Sequence, residues 1–272
     1  MKIGFIGTGN MGGAILKGYA KSEASNGNEI LIHNRSTEHN EQMAAAMTQM
    51  EGTKIRVCND NRQLAEEADI IIIGVKPKDV ERVLKEISPV KDKIIVSMAA
   101  GVSISSMEKA MGNPYARIIR IMPNTPAQVG EAMTSMSRNT NVSDGEFEDA
   151  KAIFSSVGKC EEVDEDMIDC VIGVSGSSTA YTYMYIEALV QAACDNGMEE
   201  EQARAFAAQS VLGAAKMALE SSESLEQLRI NVCSPGGTTI EAVNTLFANG
   251  FMDDVKEGFQ AAVDRSKEMT KE

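Results

Sequence analysis

Short apolar runs alternate with amphipathic stretches over residues 1–163. Six runs rich in Ile and Val predict strands over 2–7, 29–34, 54–58, 69–75, 93–98 and 116–122. Most of these runs are apolar on both faces, which is typical of a parallel sheet covered by helices on both sides. The stretches between them predict helices over 11–21, 37–49, 62–68 and 78–87. Repeated βα units of this kind predict a doubly wound parallel sheet of the α/β class.

The predicted first domain ends with two strands and a helix. Residues 132–137 predict a weaker strand, and residues 159–163 a last strand at the sheet edge. Ser143 and Glu146 have the spacing of a capping box, at the start of a helix over 143–156. Beyond residue 163 the pattern favours helices alone, over 179–197, 199–221, 225–230, 239–250 and 252–269. The sequence therefore predicts an α/β domain over 1–163 and an all-helical domain over 164–272.

The first long helix of the second domain, over 179–197, is apolar around most of its circumference. Such a helix should be largely buried. A small helical domain has too little surface of its own to cover it. We therefore expect two copies of the chain to dimerise and to bury each other's apolar helices.

Charge and composition narrow the classes of function. The chain of 272 residues carries a formal net charge of −14, so we expect neither nucleic-acid nor membrane-surface binding. The sequence has no apolar run of the ~18 residues that span a membrane and no signal-peptide pattern, which predicts a cytoplasmic protein. Five scattered cysteines and two histidines, His33 and His39, offer no metal-ligand spacing, so no metal site is predicted.

A glycine-rich turn follows the first predicted strand and opens the first predicted helix. Gly7, Gly9 and Gly12 have the GxGxxG spacing. In this context Gly7 permits the turn, Gly9 lets the backbone approach a pyrophosphate, and Gly12 lets the helix pack on the strand. The pyrophosphate would rest on N–H groups at the helix N-terminus. A plain tight turn is the alternative; the context favours a dinucleotide bound by Ile6, Gly7, Thr8, Gly9, Asn10 and Met11.

The end of the second predicted strand indicates which dinucleotide binds. Enzymes that use NAD typically place Asp or Glu there, on the ribose hydroxyls. This chain reads HNRS over 33–36, without a carboxylate. Asn34, Arg35 and Ser36 suit a 2′-phosphate by charge and hydrogen bonding, which favours NADP(H). The alternative is that Arg35 points into solvent and that NAD(H) serves as well.

More cofactor contacts are expected at the carboxyl ends of the later strands, where ligands of open α/β sheets lie. Lys76, within GVKP (74–77), is either a charged contact or a solvated lysine. Small residues after the fifth predicted strand would let the backbone approach the nicotinamide ribose. The residues after the sixth predicted strand would face the nicotinamide end of the cofactor. The predicted contacts are Gly74, Val75, Lys76, Pro77, Met98, Ala99, Ala100 and Gly101, with Pro123, Asn124 and Thr125.

A second glycine loop, SPGGTT over 234–239, precedes an amphipathic run near the C-terminus. Such a loop at a helix N-terminus offers backbone N–H groups to an anion, for instance a carboxylate. Thr238 and Thr239 add hydroxyl groups that donate or accept hydrogen bonds. A simple N-cap with a flexible loop is an equally good interpretation of this segment alone.

Six segments of the chain occur in the order and at the intervals of a known family: FIGTGNMGGAI, GVKP, MAAGVSISSMEK, RIMPNTP, DEDMIDCVIGVSGS and NVCSPGGTTI. Through these segments the whole chain resembles the pyrroline-5-carboxylate reductase family. SPGGTT is quite specific to this family, whereas GxGxxG is not. The resemblance implies a Rossmann-type domain followed by a helical dimerisation domain, with dimers that often form decamers. It also implies NAD(P)H-dependent reduction of L-1-pyrroline-5-carboxylate to L-proline, the last step of proline synthesis.

The resemblance further implies roles for individual residues. It places the substrate near the dimer interface, between the nicotinamide and the loop of the helical domain. The substrate carboxylate and ring nitrogen would bind Ser234, Gly236, Gly237, Thr238 and Thr239. Glu165 and Asn231 match polar positions near substrate and cofactor, and Asn61 matches a contact on the adenosine side.

The chain departs from the family pattern at one place. It reads SGSSTAY where the family usually reads SGSGPAY, so Ser178 and Thr179 replace Gly-Pro at the start of a long helix. Serine and threonine suit an N-cap, so we still expect the helix to begin there. The shape of the loop before it stays open.

Hydride transfer to a cyclic imine requires mainly orientation and a proton source near the ring nitrogen. Thr239 is the candidate catalytic residue, because its hydroxyl lies at a predicted helix start. Two alternatives remain. A 3-hydroxyacid dehydrogenase would require a catalytic lysine, and Lys216 is the only lysine in the first long helices of the second domain. A non-catalytic dinucleotide sensor would explain the change at Ser178 and Thr179 as lost catalysis.

Overall fold

Eight strands form one sheet in the computed structural model, which describes residues 1–48 and 54–271. The strands are β1 (Lys2–Ile6), β2 (Glu29–His33), β3 (Lys54–Val57), β4 (Ile70–Ile73), β5 (Ile94–Ser97), β6 (Arg117–Met122), β7 (Ala132–Arg138) and β8 (Gly158–Glu162). All eight predicted strands are confirmed, with ends that agree to within two residues.

Helices connect the strands and form the whole of the later chain. They are α1 (Asn10–Lys21), α2 (Thr37–Thr48), α3 (Asn61–Glu67), α4 (Pro77–Ile87), α5 (Ile104–Met111), α6 (Asp144–Ser155), α7 (Ile168–Val171), α8 (Ser178–Asp195), α9 (Glu200–Glu220), α10 (Leu225–Val232), α11 (Thr238–Ala248) and α12 (Phe251–Lys271). Gln49, the predicted end of the second helix, lies outside the described residues. None of the described helices is long and apolar enough to span a membrane.

The strand order is β3-β2-β1-β4-β5-β6-β7-β8, which confirms the doubly wound sheet. The chain runs outward from β1 to β3 and then returns to β4 on the other side of β1. Ligands of such sheets bind at this switch point, beyond the carboxyl ends of the strands. The pairing of β6 with β7 is antiparallel, whereas the predicted sheet is parallel throughout. β8 lies at the edge, as predicted.

The parallel strands bury both faces, because isoleucines alternate between two helical layers. On β4, Ile70 and Ile72 join the layer of α1, α2 and α6, while Ile71 and Ile73 join the layer of α3, α4 and α5.

The predicted capping box at the start of α6 is also confirmed. The side chains of Ser143 and Glu146 each accept a hydrogen bond from the other residue's backbone N–H. Burial raises the pKa of the Cys58 and Cys160 thiols, both of which are free.

The chain divides into two compact units. Unit 1 comprises Met1–Gly176 together with Ala262–Glu272, and unit 2 comprises Ser177–Ala261. The last turns of α12 pack within unit 1, where Ser266 Oγ donates to Asp169 Oδ1 at 2.6 Å and Met269 contacts Gly101. These units divide after Gly176, thirteen residues beyond the predicted domain boundary at 163/164. The predicted boundary stays a prediction.

Unit 2 consists of α8 to α11 and the start of α12, and little of it is buried. Over Ser177–Ala261, all described, only Ala203 and Ala207 are buried. The first long helix, for which burial in a dimer is predicted, is uncovered in the single chain: α8 has no buried residue, and Met184 is 66% exposed. This result leaves an apolar helical surface for which the sequence predicts a second copy of the chain as cover.

Candidate active site

The turn between β1 and α1 requires glycine for two reasons. Gly7 has φ +89°, a conformation that favours glycine. A Cβ on Gly12 would lie 2.5 Å from the Gly7 carbonyl oxygen, and one on Gly74 would lie 2.4 Å from the same atom. These glycines therefore let α1 and the end of β4 pack closely against the turn.

Gly9 differs from its neighbours, because a Cβ there would meet no protein atom within 4 Å. Packing within the chain therefore does not require glycine at this position. Gly9 is the N-cap of α1, has no side chain to cap the helix, and is exposed. The first turn of α1 contains no acidic residue. Open space beside uncapped N–H groups fits a pyrophosphate that approaches the backbone closely.

A hydrogen-bond network beneath the turn connects β1 to the end of β2. Asn34 Oδ1 accepts from the Thr8 N–H at 2.6 Å, and Asn34 Nδ2 donates to Thr8 Oγ1 at 2.9 Å and to Asn40 Oδ1 at 2.8 Å. His39 Nε2 donates to the Thr8 carbonyl at 2.7 Å. The predicted phosphate ligand Asn34 thus holds the glycine turn in place. The hydrogen bonds of Asn40 and His39 beneath this turn were not predicted from the sequence.

A cavity of about 270 Å³ lies beyond the carboxyl ends of β1 and β2. Arg35 lines it, is exposed, and forms no ion pair with a residue that the structure describes. Ser36 is exposed next to Arg35. The remaining walls come from β1, the start of α3 and the side of α4: Ile6, Gly7, His33, Asn34, Asp60, Asn61, Val75, Arg82, Val83 and Glu86.

Asn61 connects α3 to α4 in the wall of this cavity. It is 9% exposed, and its Nδ2 donates to Glu86 Oε2 at 2.6 Å. Its Oδ1 is buried without a hydrogen-bond partner among the described residues. Glu86 also accepts from Arg82 Nη1 at 2.7 Å. Asn61 was predicted from the sequence, whereas Arg82 and Glu86 were not. Their i, i+4 spacing on a predicted helix next to the site indicates an ion pair.

The later strand ends have the small residues and backbone turns that the sequence predicted. Lys76 is exposed as the N-cap of α4, and Pro77 opens that helix. After β5, Ala99 is buried, Met98 and Ala100 are half-buried, and Gly101 has φ +73°. The structure thus brings these residues to the same edge of the sheet as Gly7 and Arg35.

Two predicted site residues, Asn124 after β6 and Glu165 after β8, form hydrogen bonds within unit 1. Asn124 Nδ2 donates to the Ser175 carbonyl at 3.1 Å, and its Oδ1 accepts from the Met133 N–H at 2.9 Å. Glu165 Oε1 accepts from the Ile104 N–H at 2.7 Å and from Arg120 Nη1 at 3.0 Å. Arg120 is only 4% exposed and was not selected from the sequence. The substrate contact of Glu165 stays a prediction.

The second glycine loop belongs to unit 2. The Gly237 N–H donates to the Ser234 carbonyl at 3.0 Å, and Gly236 has φ +69° between them. Gly237 is the N-cap of α11, again without a side-chain cap. Thr238 and Thr239 therefore occupy the first two helical positions, where Thr239 is half-buried and Thr238 exposed. The turn places Ser234 and the two threonine hydroxyls at the uncapped start of α11.

Two other residues of unit 2 that the sequence singled out have local partners. Asn231 Oδ1 accepts from Gln227 Nε2 at 2.8 Å, and its Nδ2 donates to Glu223 Oε2 at 2.9 Å, so its cofactor contact stays a prediction. Lys216 is exposed and lies 3.8 Å from Glu220, an ordinary surface pair. α8 begins at Ser178, as expected despite the unusual Ser178–Thr179 pair.

Known families match both parts of the chain. Residues 165–269 match the family model described as pyrroline-5-carboxylate reductase dimerisation. Residues 2–101 match the model described as NADP oxidoreductase, coenzyme F420-dependent.

Relatives match the chain over its full length. Pyrroline-5-carboxylate reductase of Escherichia coli is 43% identical, and the match covers 99% of this chain and 98% of that protein. The structure of a pyrroline-5-carboxylate reductase from Coxiella burnetii has a TM-score of 0.88 at 35% identity, covering 98% of both chains. A Plasmodium falciparum pyrroline carboxylate reductase with NADP bound has a TM-score of 0.86 at 31% identity, covering 99% of this chain and 98% of that chain.

Proposed function

The chain belongs to the pyrroline-5-carboxylate reductase family, and we propose that it reduces L-1-pyrroline-5-carboxylate to L-proline with NADPH. The glycine turn supports the cofactor part of this proposal, since Gly9 leaves open space beside the uncapped start of α1, and the full-length relatives support the substrate part. When bound there, NADPH would supply the hydride, which adds to the imine carbon (C2 of the pyrroline ring, C5 of the product proline) while a proton goes to the ring nitrogen.

Steady-state oxidation of NADPH with L-1-pyrroline-5-carboxylate tests the activity directly. The expected result is turnover with formation of one proline for each NADPH consumed. NADPH binding without turnover would instead support the dinucleotide sensor, and oxidation of a hydroxyacid with NADP+ but no activity on the imino acid would support the dehydrogenase. The same assay with NADH and with other cyclic imino acids measures cofactor and substrate preference.

Arg35 is the residue of this chain that we expect to bind the 2′-phosphate of NADPH. Its guanidinium lines the cavity beyond β2 without an ion-pair partner in the described part of the chain, and Ser36 adds a hydroxyl. Asn34 acts indirectly, because its amide holds Thr8 and Asn40.

Arg35→Ala is expected to lower kcat/KM for NADPH by about ten- to a hundredfold, since hydrogen bonds to charged groups contribute roughly 1.5–3 kcal/mol. The value for NADH should stay within about twofold, because NADH lacks the phosphate. Kinetics with both cofactors check this result, and Arg62→Ala, an exposed arginine of α3, is the control. Equal losses with the two cofactors would contradict the assignment.

The loop Ser234–Thr239 is the proposed site for the substrate carboxylate and ring nitrogen. Its turn presents the N–H groups of an uncapped helix start, which favour an anion. The Thr239 hydroxyl, half-buried at the second helical position, is the proposed proton donor or hydrogen-bond partner for the ring nitrogen. Glu165 positions the start of α5 through the Ile104 N–H and is held by Arg120.

The exposed apolar surface of unit 2 is the proposed dimer interface. α8 and α9 expose large apolar side chains, among them Tyr183, Met184, Phe206 and Leu212. Neither apolar core of the chain includes a residue of Ser177–Ala261, so the described helices of unit 2 have no comparable core of their own. A partner copy would provide the missing cover.

Three further expectations stay predictions from the sequence. They are a decamer of such dimers, a cytoplasmic location, and the absence of nucleic-acid and membrane partners.

Met184→Glu is expected to shift the protein from dimer towards monomer at micromolar concentration. A charge on a buried symmetric interface is desolvated in both subunits and costs several kcal/mol. Size-exclusion chromatography with light scattering measures the mass, and Tyr115→Glu, an exposed position of unit 1, is the control. A monomeric parent protein would remove the dimer proposal, and an unchanged Met184→Glu dimer would move the interface away from α8.

A further inference from the structure

The cavity beyond β2 is the place for the adenosine half of the dinucleotide. The pyrophosphate would lie over Gly9, and the ribose is read by the residues that follow β2. From Arg35 the cavity extends between the start of α3 and the side of α4. Val75 and Val83 provide an apolar wall, and Arg82 provides the second guanidinium of the cavity. The base that follows this ribose must therefore lie close to Arg82.

The two arginines differ in how their donors are used. Arg82 Nη1 donates to Glu86 Oε1 at 2.7 Å, and its Nη2 donates to Asp79 Oδ1 at 3.3 Å. Hydrogen bonds with Glu86 and then Asp79 raise its pKa, so the group stays a cation. These carboxylates lie on the same helix, take two of the five N–H donors and restrain the guanidinium at its edge, which leaves its flat faces for a planar ligand.

We infer that Arg82 is a stacking platform for the adenine ring, and that Arg35 alone reads the 2′-phosphate. A guanidinium held at its edge stacks on an aromatic base by cation–π and planar contact. Glu86 connects this platform to Asn61, since one of its oxygens binds Arg82 and the other binds the Asn61 amide. Arg82 would therefore strengthen binding of both dinucleotides without choosing between them. This inference rests on the proposed binding of NADPH.

Calorimetric dissociation constants separate the two roles. Arg82→Ala is expected to weaken NADPH, NADH and 5′-AMP by a common factor of about three- to thirtyfold, the range of a cation–π contact. Reduced nicotinamide mononucleotide, which lacks the adenine, should bind as it does to the parent. Arg35→Ala should weaken NADPH alone. Arg82→Lys keeps the charge but not the plane, so it should resemble Arg82→Ala.

Arg62→Ala provides the matched control, since Arg62 is an exposed arginine whose i, i+4 pair with Glu66 resembles that of Arg82 with Glu86. Unchanged binding in Arg82→Ala would overturn the inference, as would a loss confined to NADPH, which would make Arg82 a phosphate ligand. Parent-like binding in Arg82→Lys would replace stacking by simple charge and would also overturn it. If the parent protein binds neither dinucleotide, the proposed function itself fails.

Discussion

Gly9→Ala is expected to fold like the parent protein and to bind NADPH about ten- to a hundredfold more weakly, since overpacking of a tight site costs roughly 1–3 kcal/mol. The added methyl group meets no protein atom within 4 Å, so it would occupy the space left for the ligand. Calorimetric titration with NADPH gives the affinity, and thermal unfolding gives the stability.

Gly12→Ala is the matched comparison for this prediction. Its methyl group would lie 2.5 Å from the Gly7 carbonyl oxygen, so α1 must shift and stability must fall together with affinity. Parent-like NADPH affinity in Gly9→Ala would show that the pyrophosphate does not approach this turn. A large loss of thermal stability in Gly9→Ala would show that the position serves folding instead.

Thr239→Ala is expected to lower kcat by about ten- to a hundredfold, the effect of losing one hydrogen bond to a charged ring nitrogen. The loss should be partial, because a threonine hydroxyl is a weak acid and the dinucleotide supplies the hydride. NADPH affinity should not change, since the glycine turn and Arg35, which are proposed to hold the cofactor, belong to unit 1 and Thr239 to unit 2. Steady-state kinetics over a range of both substrates separate kcat from KM.

Two further variants make this test specific. Thr239→Ser keeps the hydroxyl and should recover most of the parent kcat. Thr245→Ala removes a threonine of the same helix whose hydroxyl donates to the Glu241 carbonyl, and it should keep parent activity. Full activity in Thr239→Ala would overturn the catalytic assignment. A rise in KM for the imino acid at unchanged kcat would make Thr239 a binding residue only.

The strands were largely predictable from the sequence, because buried parallel strands form unmistakable apolar runs, whereas their order on the sheet comes from the structure. IIII over 70–73 is the clearest example, and all four of its side chains are buried. The antiparallel β7 was not predictable in direction, since its pattern shows only that it is extended. α5 was missed as a helix, although Ser103 caps it by accepting from the Ser106 N–H.

The site was predictable at the level of the backbone and less so at the level of side chains. The spacing of Gly7, Gly9 and Gly12 indicates a turn on a helix start, whatever surrounds it. Asn34 shows the limit, because a polar residue after β2 suits a phosphate and an internal hydrogen bond equally well. Only the structure shows its amide turned towards Thr8 and Asn40.

The burial of α8 shows another limit of sequence patterns. An apolar circumference indicates that a helix needs cover, but it does not say which chain provides the cover. The structure of one chain leaves Tyr183 and Met184 exposed, so the pattern that predicts burial becomes a prediction of association. The same pattern thus gives a testable expectation for the dimer.

The return of residues 262–271 to unit 1 affects how the protein is made on the ribosome. Chains fold largely from the N-terminus as they emerge, at about 5–20 residues per second. The sheet can form once β8 has emerged. The contacts of Asp169 with Ser266 and of Gly101 with Met269 form only after the whole of unit 2 has been synthesised. The cofactor-binding unit therefore closes only at the end of synthesis, and a nascent chain halted within unit 2 exposes the surface that α12 later covers.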